Sequence, residues 1–155
     1  MLQQVTVYID TSFKGKLNAG TGTFSYVIEY IASDNQMYTI EDVVEYTGTT
    51  KNRIAILAVI EALSRLRKTC DITIYINSQY VVEAVEQKWI QEWIANNWNN
   101  KNGEQIKNKD IWKKIAEYTI KHIVKFEYLK ESNYAGCMKL RKISESRVDK
   151  YGKSC

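Results

Sequence analysis

The excess of basic over acidic side chains in this sequence lies at one end of the chain. Residues 1–136 carry 16 Lys or Arg and 16 Asp or Glu, so the net charge of +4 comes from residues 137–155. The basic residues of this segment are Lys139, Arg141, Lys142, Arg147, Lys150 and Lys153. Such a cluster could contact phosphate groups. A solvated helix face at the chain end explains it equally well.

Aromatic side chains form the second group of residues that could bind a ligand. Trp89, Trp93 and Trp98 lie within residues 89–100 at spacings of four and five. They could stack on nucleic-acid bases, but we predict that they pack one helix against its neighbour. The single histidine, His122, precedes the last predicted strand, and we predict a packing or surface position for it rather than a catalytic one.

Length and composition limit the class of protein. A chain of 155 residues with 45% hydrophobic and 26% charged residues is typical of one soluble domain, which we predict over residues 1–155. No stretch approaches the roughly 18 apolar residues of a membrane span, which excludes a membrane-spanning protein. Cys70, Cys137 and Cys155 fit no metal-ligand spacing, so we predict free thiols and a reducing, cytoplasmic location.

Hydrophobic periodicity predicts the elements that must position any site. Alternation with a period of two predicts strands, and spacing of three to four predicts helices. Strands are predicted at 4–10, 23–33, 37–48, 71–77 and 123–129. Helices are predicted from Thr50 through 66, at 79–87, at 89–100, at 110–121 and at 135–150, with Thr49 or Thr50 and Ser78 as N-caps. The Gly-, Ser- and Asn-containing segment 11–22 predicts a turn.

The order of these elements predicts the architecture. Three strands joined by short turns form an antiparallel meander, and strands that follow a crossover helix pair in parallel. The sequence therefore predicts an α/β protein with a mixed five-stranded sheet, three antiparallel and then parallel strands, flanked by helices.

Five short segments carry a family resemblance. They are YIDTS at 8–12, TTKNR at 49–53, INSQYV at 76–81, WIQEW at 89–93 and KNKDIW at 107–112. In this order and with these separations the chain resembles type 1 ribonuclease H, the nuclease that cuts the RNA strand of an RNA/DNA hybrid. The resemblance implies the ribonuclease H-like fold over nearly the whole chain.

The resemblance also implies a catalytic mechanism. In the family, four carboxylates hold two divalent metal ions, one activating the attacking water and the other stabilising the leaving oxygen. Asp10 matches the first carboxylate. At the second and third positions this chain has Ala55 and Asn77.

The fourth family carboxylate follows a loop that carries a histidine, and this loop reads KESNYAGCMK here, without a histidine. Three alignments stay open for the acid. One places Met138 there, one places Arg141 or Lys142, and one with an insertion of about seven residues places Asp149 there. Asp149 is thus the tentative fourth carboxylate.

Charge arithmetic gives the expectation for the metal ions. Two unit charges 4 Å apart interact by about 4 kcal/mol at an effective dielectric constant near 20, so the loss of two or three anions weakens divalent binding severely. We expect no high-affinity metal site, weak Mg²⁺ or Mn²⁺ binding at Asp10 if any, and no resident cofactor. The main prediction is therefore a catalytically impaired or inactive pseudonuclease that binds an RNA/DNA hybrid or another duplex.

Nucleic-acid binding is predicted from matched positions. Thr50, Asn52, Ser78 and Gln79 match parts of the family's grip on the hybrid. The segment after the second tryptophan, IANNWNNKN, has one lysine where some members have a basic protrusion.

Two alternatives stand beside the pseudonuclease. The first is a protein-interaction module in a larger complex. The second is an active metal-dependent ribonuclease H with rearranged ligands, using Asp10, Glu131 and Asp149.

Overall fold

The computed structural model of the protein describes residues 2–16 and 19–129, with Ala19 described by its backbone alone. Its elements are β1 (Gln3–Lys16), β2 (Ala19–Ile31), β3 (Met37–Thr49), α1 (Lys51–Ser64), β4 (Cys70–Ile76), α2 (Gln79–Glu86), α3 (Trp89–Ala95), α4 (Lys109–Lys121) and β5 (Ile123–Tyr128). The predicted helix at 135–150 lies outside the described residues, and the single domain over 1–155 stays a prediction. In the described part of the chain, no helix is long and apolar enough to cross a membrane.

The strands form one five-stranded sheet in the order β3-β2-β1-β4-β5. β1 pairs with β2, and β2 with β3, in antiparallel fashion. β4 pairs in parallel with β1 on one side and with β5 on the other. The predicted α/β architecture with its mixed five-stranded sheet is confirmed.

Alternate residues of the central strands form the apolar core. Ile9 of β1 and Ile74 of β4 are fully buried, as is Ile54 of α1, and all three belong to one core cluster. Gly22 of β2 allows the close approach of helix and sheet, because a Cβ atom there would lie 2.7 Å from Ile54 Cγ1. The sheet and α1 thus pack with no room for a side chain at Gly22.

The segment predicted as a turn at 11–22 is mostly strand. β1 continues through Lys16 because residues 11–16 pair with β2, ending at Lys16↔Ala19. The glycines and short polar residues obscured the strand pattern there. The parallel pairing of β1 with β4 stops earlier, at Ile9↔Ile76, so Asp10 lies where β1 loses its second neighbour.

The N-terminal ends of α1 and α2 follow the capping rules. The Thr50 side chain accepts a hydrogen bond from Arg53 N at 3.1 Å, and the Ser78 side chain accepts one from Val81 N at 3.3 Å. These contacts confirm both predicted N-caps. α3 is shorter than the predicted helix at 89–100, since Asn97 and Trp98 have φ of 54° and 61°, in the left-handed region that a helix cannot continue through.

Candidate active site at the carboxyl ends of β1 and β4

The candidate site lies where three chain segments converge. β1 passes Asp10, β4 ends at Ile76 just before Asn77, and α2 begins directly afterwards at Gln79. Thr49 pairs with Gly20, which pairs with Gly15, so α1 starts at the same end of the sheet. This is the carboxyl end of the parallel strands, where loops of α/β proteins commonly place ligand-binding groups.

Asp10 and Asn77 are in direct contact. The Nδ2 atom of Asn77 donates a hydrogen bond to Asp10 Oδ1 at 2.9 Å. Asp10 is exposed and Asn77 is half-buried, so the pair faces the surface beyond the sheet edge. The structure therefore brings together two of the residues that the sequence singled out.

Ala55 contributes no ligand atom to this site. It is 1% exposed and belongs to the apolar core. A methyl group offers no oxygen to a cation. A longer acidic side chain at this position would start from within the apolar layer.

We tested the described residues against a site for two divalent ions. Mg²⁺ takes oxygen ligands and is held by carboxylates together with substrate phosphates. Among residues 2–16 and 19–129, no three acidic, histidine or cysteine side chains gather into a metal-binding group. Asp10 brings one carboxylate, and the nearest group of Asn77 is an amide nitrogen, which has no lone pair for a metal.

The described residues alone therefore do not fit such a site. Glu131, Asp149 and the other candidates for the fourth position, Met138, Arg141 and Lys142, lie outside the described residues. Weak Mg²⁺ or Mn²⁺ binding at Asp10 stays a prediction.

The four predicted nucleic-acid contacts lie at two helix starts of this end. Thr50 and Ser78 use oxygen lone pairs for their caps, which leaves each O–H able to donate to a ligand oxygen. Asn52 and Gln79 are exposed in the first turns of α1 and α2. Polar groups and helix N-termini of this kind suit phosphate and sugar oxygens.

Sequence reasoning missed an ion pair that ties α1 to α4. Arg53 Nη2 lies 2.8 Å from Asp110 Oδ2, and Arg53 Nη1 donates to Asn108 Oδ1 at 3.2 Å. The hydrogen bond from Arg53 lowers the pKa of Asp110. The two residues stand 57 positions apart, so only the fold reveals the contact.

The tryptophans pack as predicted. The rings of Trp89, Trp93 and Trp98 form a chain of neighbours with centroids 6.3 Å apart, and Trp93 contacts the buried Trp112 at 5.4 Å. All three pack against the core. Packing of α3 against α4 therefore accounts for these tryptophans, and stacking on nucleic-acid bases is not needed to explain them.

His122 is a packing residue as well. It is 4% exposed, and its Nδ1 accepts a hydrogen bond from Cys70 N at 3.0 Å. Burial, helped by the charge of Lys121, lowers the pKa of His122. The Cys70 thiol is free and buried, while Cys137 and Cys155 and the basic cluster lie outside the described residues.

Comparisons with known proteins agree on one family. The RNase H family profile matches residues 2–134. Ribonuclease H of Oleidesulfovibrio alaskensis is 36% identical over 129 residues, covering 83% of this chain and 79% of that protein. Ribonuclease H of Francisella tularensis subsp. novicida is 32% identical over 146 residues, covering 94% of this chain and 91% of that protein.

Solved structures show the same fold. LC9-RNase H1, described as a type 1 RNase H with the type 2 active-site motif, matches with a TM-score of 0.72 at 23% identity. The match covers 84% of this chain and 64% of that one. LC11-RNase H1 in complex with an RNA/DNA hybrid matches with a TM-score of 0.58 at 17% identity, covering 93% of this chain and 99% of that one.

These findings correct the main functional prediction. The expected pseudonuclease is contradicted, because relatives 32% to 36% identical over most of the chain are named Ribonuclease H. The protein-interaction alternative stays a prediction. The resemblance read from the five segments is confirmed: the chain belongs to the RNase H family.

Proposed function

We propose that this protein is an active, metal-dependent ribonuclease H that hydrolyses the RNA strand of an RNA/DNA hybrid. Its identity of 36% to a protein named Ribonuclease H, over 83% of the chain, carries this proposal. One structural neighbour is a type 1 RNase H with the type 2 active-site motif, so this fold accommodates more than one arrangement of active-site residues.

The proposed ligand set is a rearranged one. Asp10 supplies the acid at the end of the parallel pairing, and Glu131 and Asp149 are the proposed further acids. Bound magnesium or manganese would activate water and stabilise the leaving oxygen. This set has three acids against the family's four, because Glu131 replaces one of the two negative charges that Ala55 and Asn77 leave out.

The residues of this chain also support a grip on the hybrid. Thr50 and Ser78 each retain a hydroxyl donor at a helix N-terminus, and Asn52 and Gln79 present exposed amides beside them. These groups suit the oxygens of the nucleic-acid backbone and the 2′-hydroxyl of RNA. The 2′-hydroxyl is the group by which proteins distinguish RNA from DNA. We propose a cytoplasmic site of action, in keeping with the widely spaced cysteines.

The test is cleavage of a hybrid labelled on its RNA strand, with Mg²⁺ or Mn²⁺, and with EDTA as the blank. We expect RNA-strand cleavage that EDTA abolishes and that Asp10→Asn reduces by about 100-fold or more. Asp71→Asn, at the opposite end of β4, is the matched control and should cut at the wild-type rate. Absence of cleavage with both metals, under conditions in which the Francisella relative cuts, would overturn the proposal.

A second set of variants tests the rearranged ligands. Glu131→Gln and Asp149→Asn should each lower cleavage by at least about 10-fold, whereas Glu104→Gln in the loop after α3 should not. Full activity in both acid variants would refute the ligand set while leaving the nuclease itself in place.

A further inference from the structure

The Asn77 side chain uses its full hydrogen-bonding capacity on β1. Its Oδ1 accepts from Thr11 N and from Thr11 Oγ1, each at 2.9 Å. Its Nδ2 donates to Thr11 O at 3.0 Å and to Asp10 Oδ1 at 2.9 Å. An asparagine amide has two donor hydrogens and two acceptor lone pairs, and all four are engaged here.

These contacts extend the parallel pairing beyond its last backbone pair. The ladder of β1 and β4 stops at Ile9↔Ile76, and Asn77 then reaches across to the next two residues of β1. The two strands are thereby held together at the point where the backbone no longer joins them. The joined residues are 66 positions apart in the chain.

The orientation of the amide is fixed by its partners. The backbone N–H of Thr11 can only donate, so it must face the amide oxygen, and the carbonyl of Thr11 can only accept, so it must face the nitrogen. The second N–H of Asn77 then points at the Asp10 carboxylate, which accepts it. A rotated amide would place donor against donor and acceptor against acceptor.

The family resemblance implies an aspartate at this position. An ionised carboxylate cannot donate to Asp10, and it would set two anions about 3 Å apart, an arrangement that needs a cation or a shared proton between them. In this chain the amide hydrogen takes the place of that cation.

From this disagreement we infer that Asn77 is a positioning residue, an amide clamp that joins the ends of β1 and β4 and orients Asp10 without a divalent ion. The inference rests on the proposed function only in that Asp10 is taken as a site acid. The clamp makes this end of the sheet ordered before any ion binds. Asp10 would therefore offer a divalent ion a side chain that is already held in place.

The test is thermal unfolding in EDTA and in millimolar magnesium chloride. Wild type should melt at nearly the same temperature in both. Asn77→Asp should melt about 5 °C lower in EDTA, because it loses two donated hydrogen bonds and gains a repulsive charge, and should recover in magnesium. Asn77→Ala should be destabilised equally in both solutions, and Asn102→Asp, the same charge change in the exposed loop after α3, should melt as wild type does.

Three results would overturn the clamp. One is a wild-type melting temperature that rises with magnesium as much as that of Asn77→Asp. Another is wild-type stability of Asn77→Asp in EDTA. The third is a melting temperature of Asn77→Asp that is lowered in EDTA and is not restored by magnesium.

A measurement on the wild type covers the case in which the variants do not fold. In EDTA, the side-chain amide hydrogens of Asn77 should exchange with solvent at least about 10-fold more slowly than those of the exposed Asn52. Equal exchange rates would refute the clamp.

These readouts separate the clamp from the nuclease. A wild type that fails to cut but melts independently of magnesium refutes the proposed function and retains the clamp. A wild type that cuts, but whose melting temperature rises with magnesium as much as that of Asn77→Asp, refutes the clamp alone.

Discussion

Two neighbouring regions of this molecule follow different rules. The apolar layer between α1 and the sheet contains Ile9, Ile54 and Ile74, which are fully buried. The polar rim is formed by Asp10, Asn77, Thr50 and Ser78. Asp10 directly follows Ile9 on β1, Asn77 directly follows the last residue of β4, and the other two residues cap the helices beside them. The layer is stabilised by burial, whereas the rim is held by individual directional hydrogen bonds.

The difference explains why side-chain chemistry can change at the rim while the fold stays. Ile9 and Asp10 are consecutive, yet a change at Ile9 alters packing in the core, whereas a change at Asp10 alters polar contacts at the surface, among them the hydrogen bond from Asn77. Asn77 can likewise replace another polar residue, because its amide oxygen accepts a hydrogen bond from the backbone of β1. Large stability effects should therefore come from the layer and small ones from the rim.

The largest expected effect is in the layer. Ile74→Ala should lower the free energy of unfolding by about 2–5 kcal/mol, because it removes buried methyl groups and leaves a cavity. Urea denaturation measures the loss. Ile123→Ala, at a β5 residue that is 59% exposed, is the control and should change stability by less than about 0.5 kcal/mol. Equal effects would contradict the contrast.

Overpacking of the same layer should cost somewhat less. Gly22→Ala places a Cβ atom 2.7 Å from Ile54 Cγ1, and we expect a loss of about 1–3 kcal/mol. Combining it with Ile54→Ala removes Cγ1 and leaves only the Cβ atom of residue 54 at 2.9 Å, so the two losses should be less than additive. Strict additivity in the double variant would place the clash elsewhere.

His122 links stability to pH away from both regions. Its folded-state pKa lies below the ordinary value of 6.5, so the unfolded chain takes up a proton first as the pH falls. Stability is complete above pH 6.5 and should decline as the pH falls below it, by about 1 kcal/mol once the bond to Cys70 N is lost. His122→Asn should flatten this part of the melting-temperature profile. A wild-type profile already flat through the same range would contradict the assignment.

At the rim, the helix caps should have moderate effects. Thr50→Ala and Ser78→Ala should each lower stability by about 1 kcal/mol, since each removes the acceptor for a backbone N–H. Thr50→Ser keeps the hydroxyl and is the matched control. If the hydroxyls also grip a hybrid, the alanine variants should bind it more weakly at equal fraction folded. Unchanged affinity would limit both residues to capping.

The smallest effect is expected for the ion pair. Arg53 and Asp110 have side chains 34% and 65% exposed, so a double-mutant cycle with Arg53→Gln and Asp110→Asn should give at most about 1 kcal/mol, less in high salt. Because the pair lowers the pKa of Asp110, its contribution is present above the ordinary value of 3.8 and is lost as the pH falls through the folded value. A coupling that is larger, or insensitive to salt, would show that the pair is shielded from solvent.

The sequence predicts the buried layer and the helix caps better than the side-chain contacts of the rim. The alternation of apolar and polar residues predicts that Ile9 and Ile74 are buried. The preference of threonine and serine for N-cap positions predicts the roles of Thr50 and Ser78. The length of β1 is missed because Gly15, Gly20 and Gly22 resemble turn residues, although they pair in a hairpin.

The rim contacts escape sequence reasoning for a physical reason. Asn77 has no local pattern that ties it to Thr11, and Arg53 has none that ties it to Asp110. Such partners are fixed by the crossing of distant segments. The functional prediction is wrong for a different reason: two absent carboxylates weigh less than the match along the rest of the chain.

The strand order also determines when each part of the sheet can form during synthesis. β1, β2 and β3 are joined by short hairpins and can pair as soon as they leave the ribosome. The other edge of β1 must wait for residues 70–76, so the central strand of the finished sheet is for a time an open edge. A nascent chain stalled before β4 would expose that edge to neighbouring chains, so pairing between chains can compete with folding during this interval.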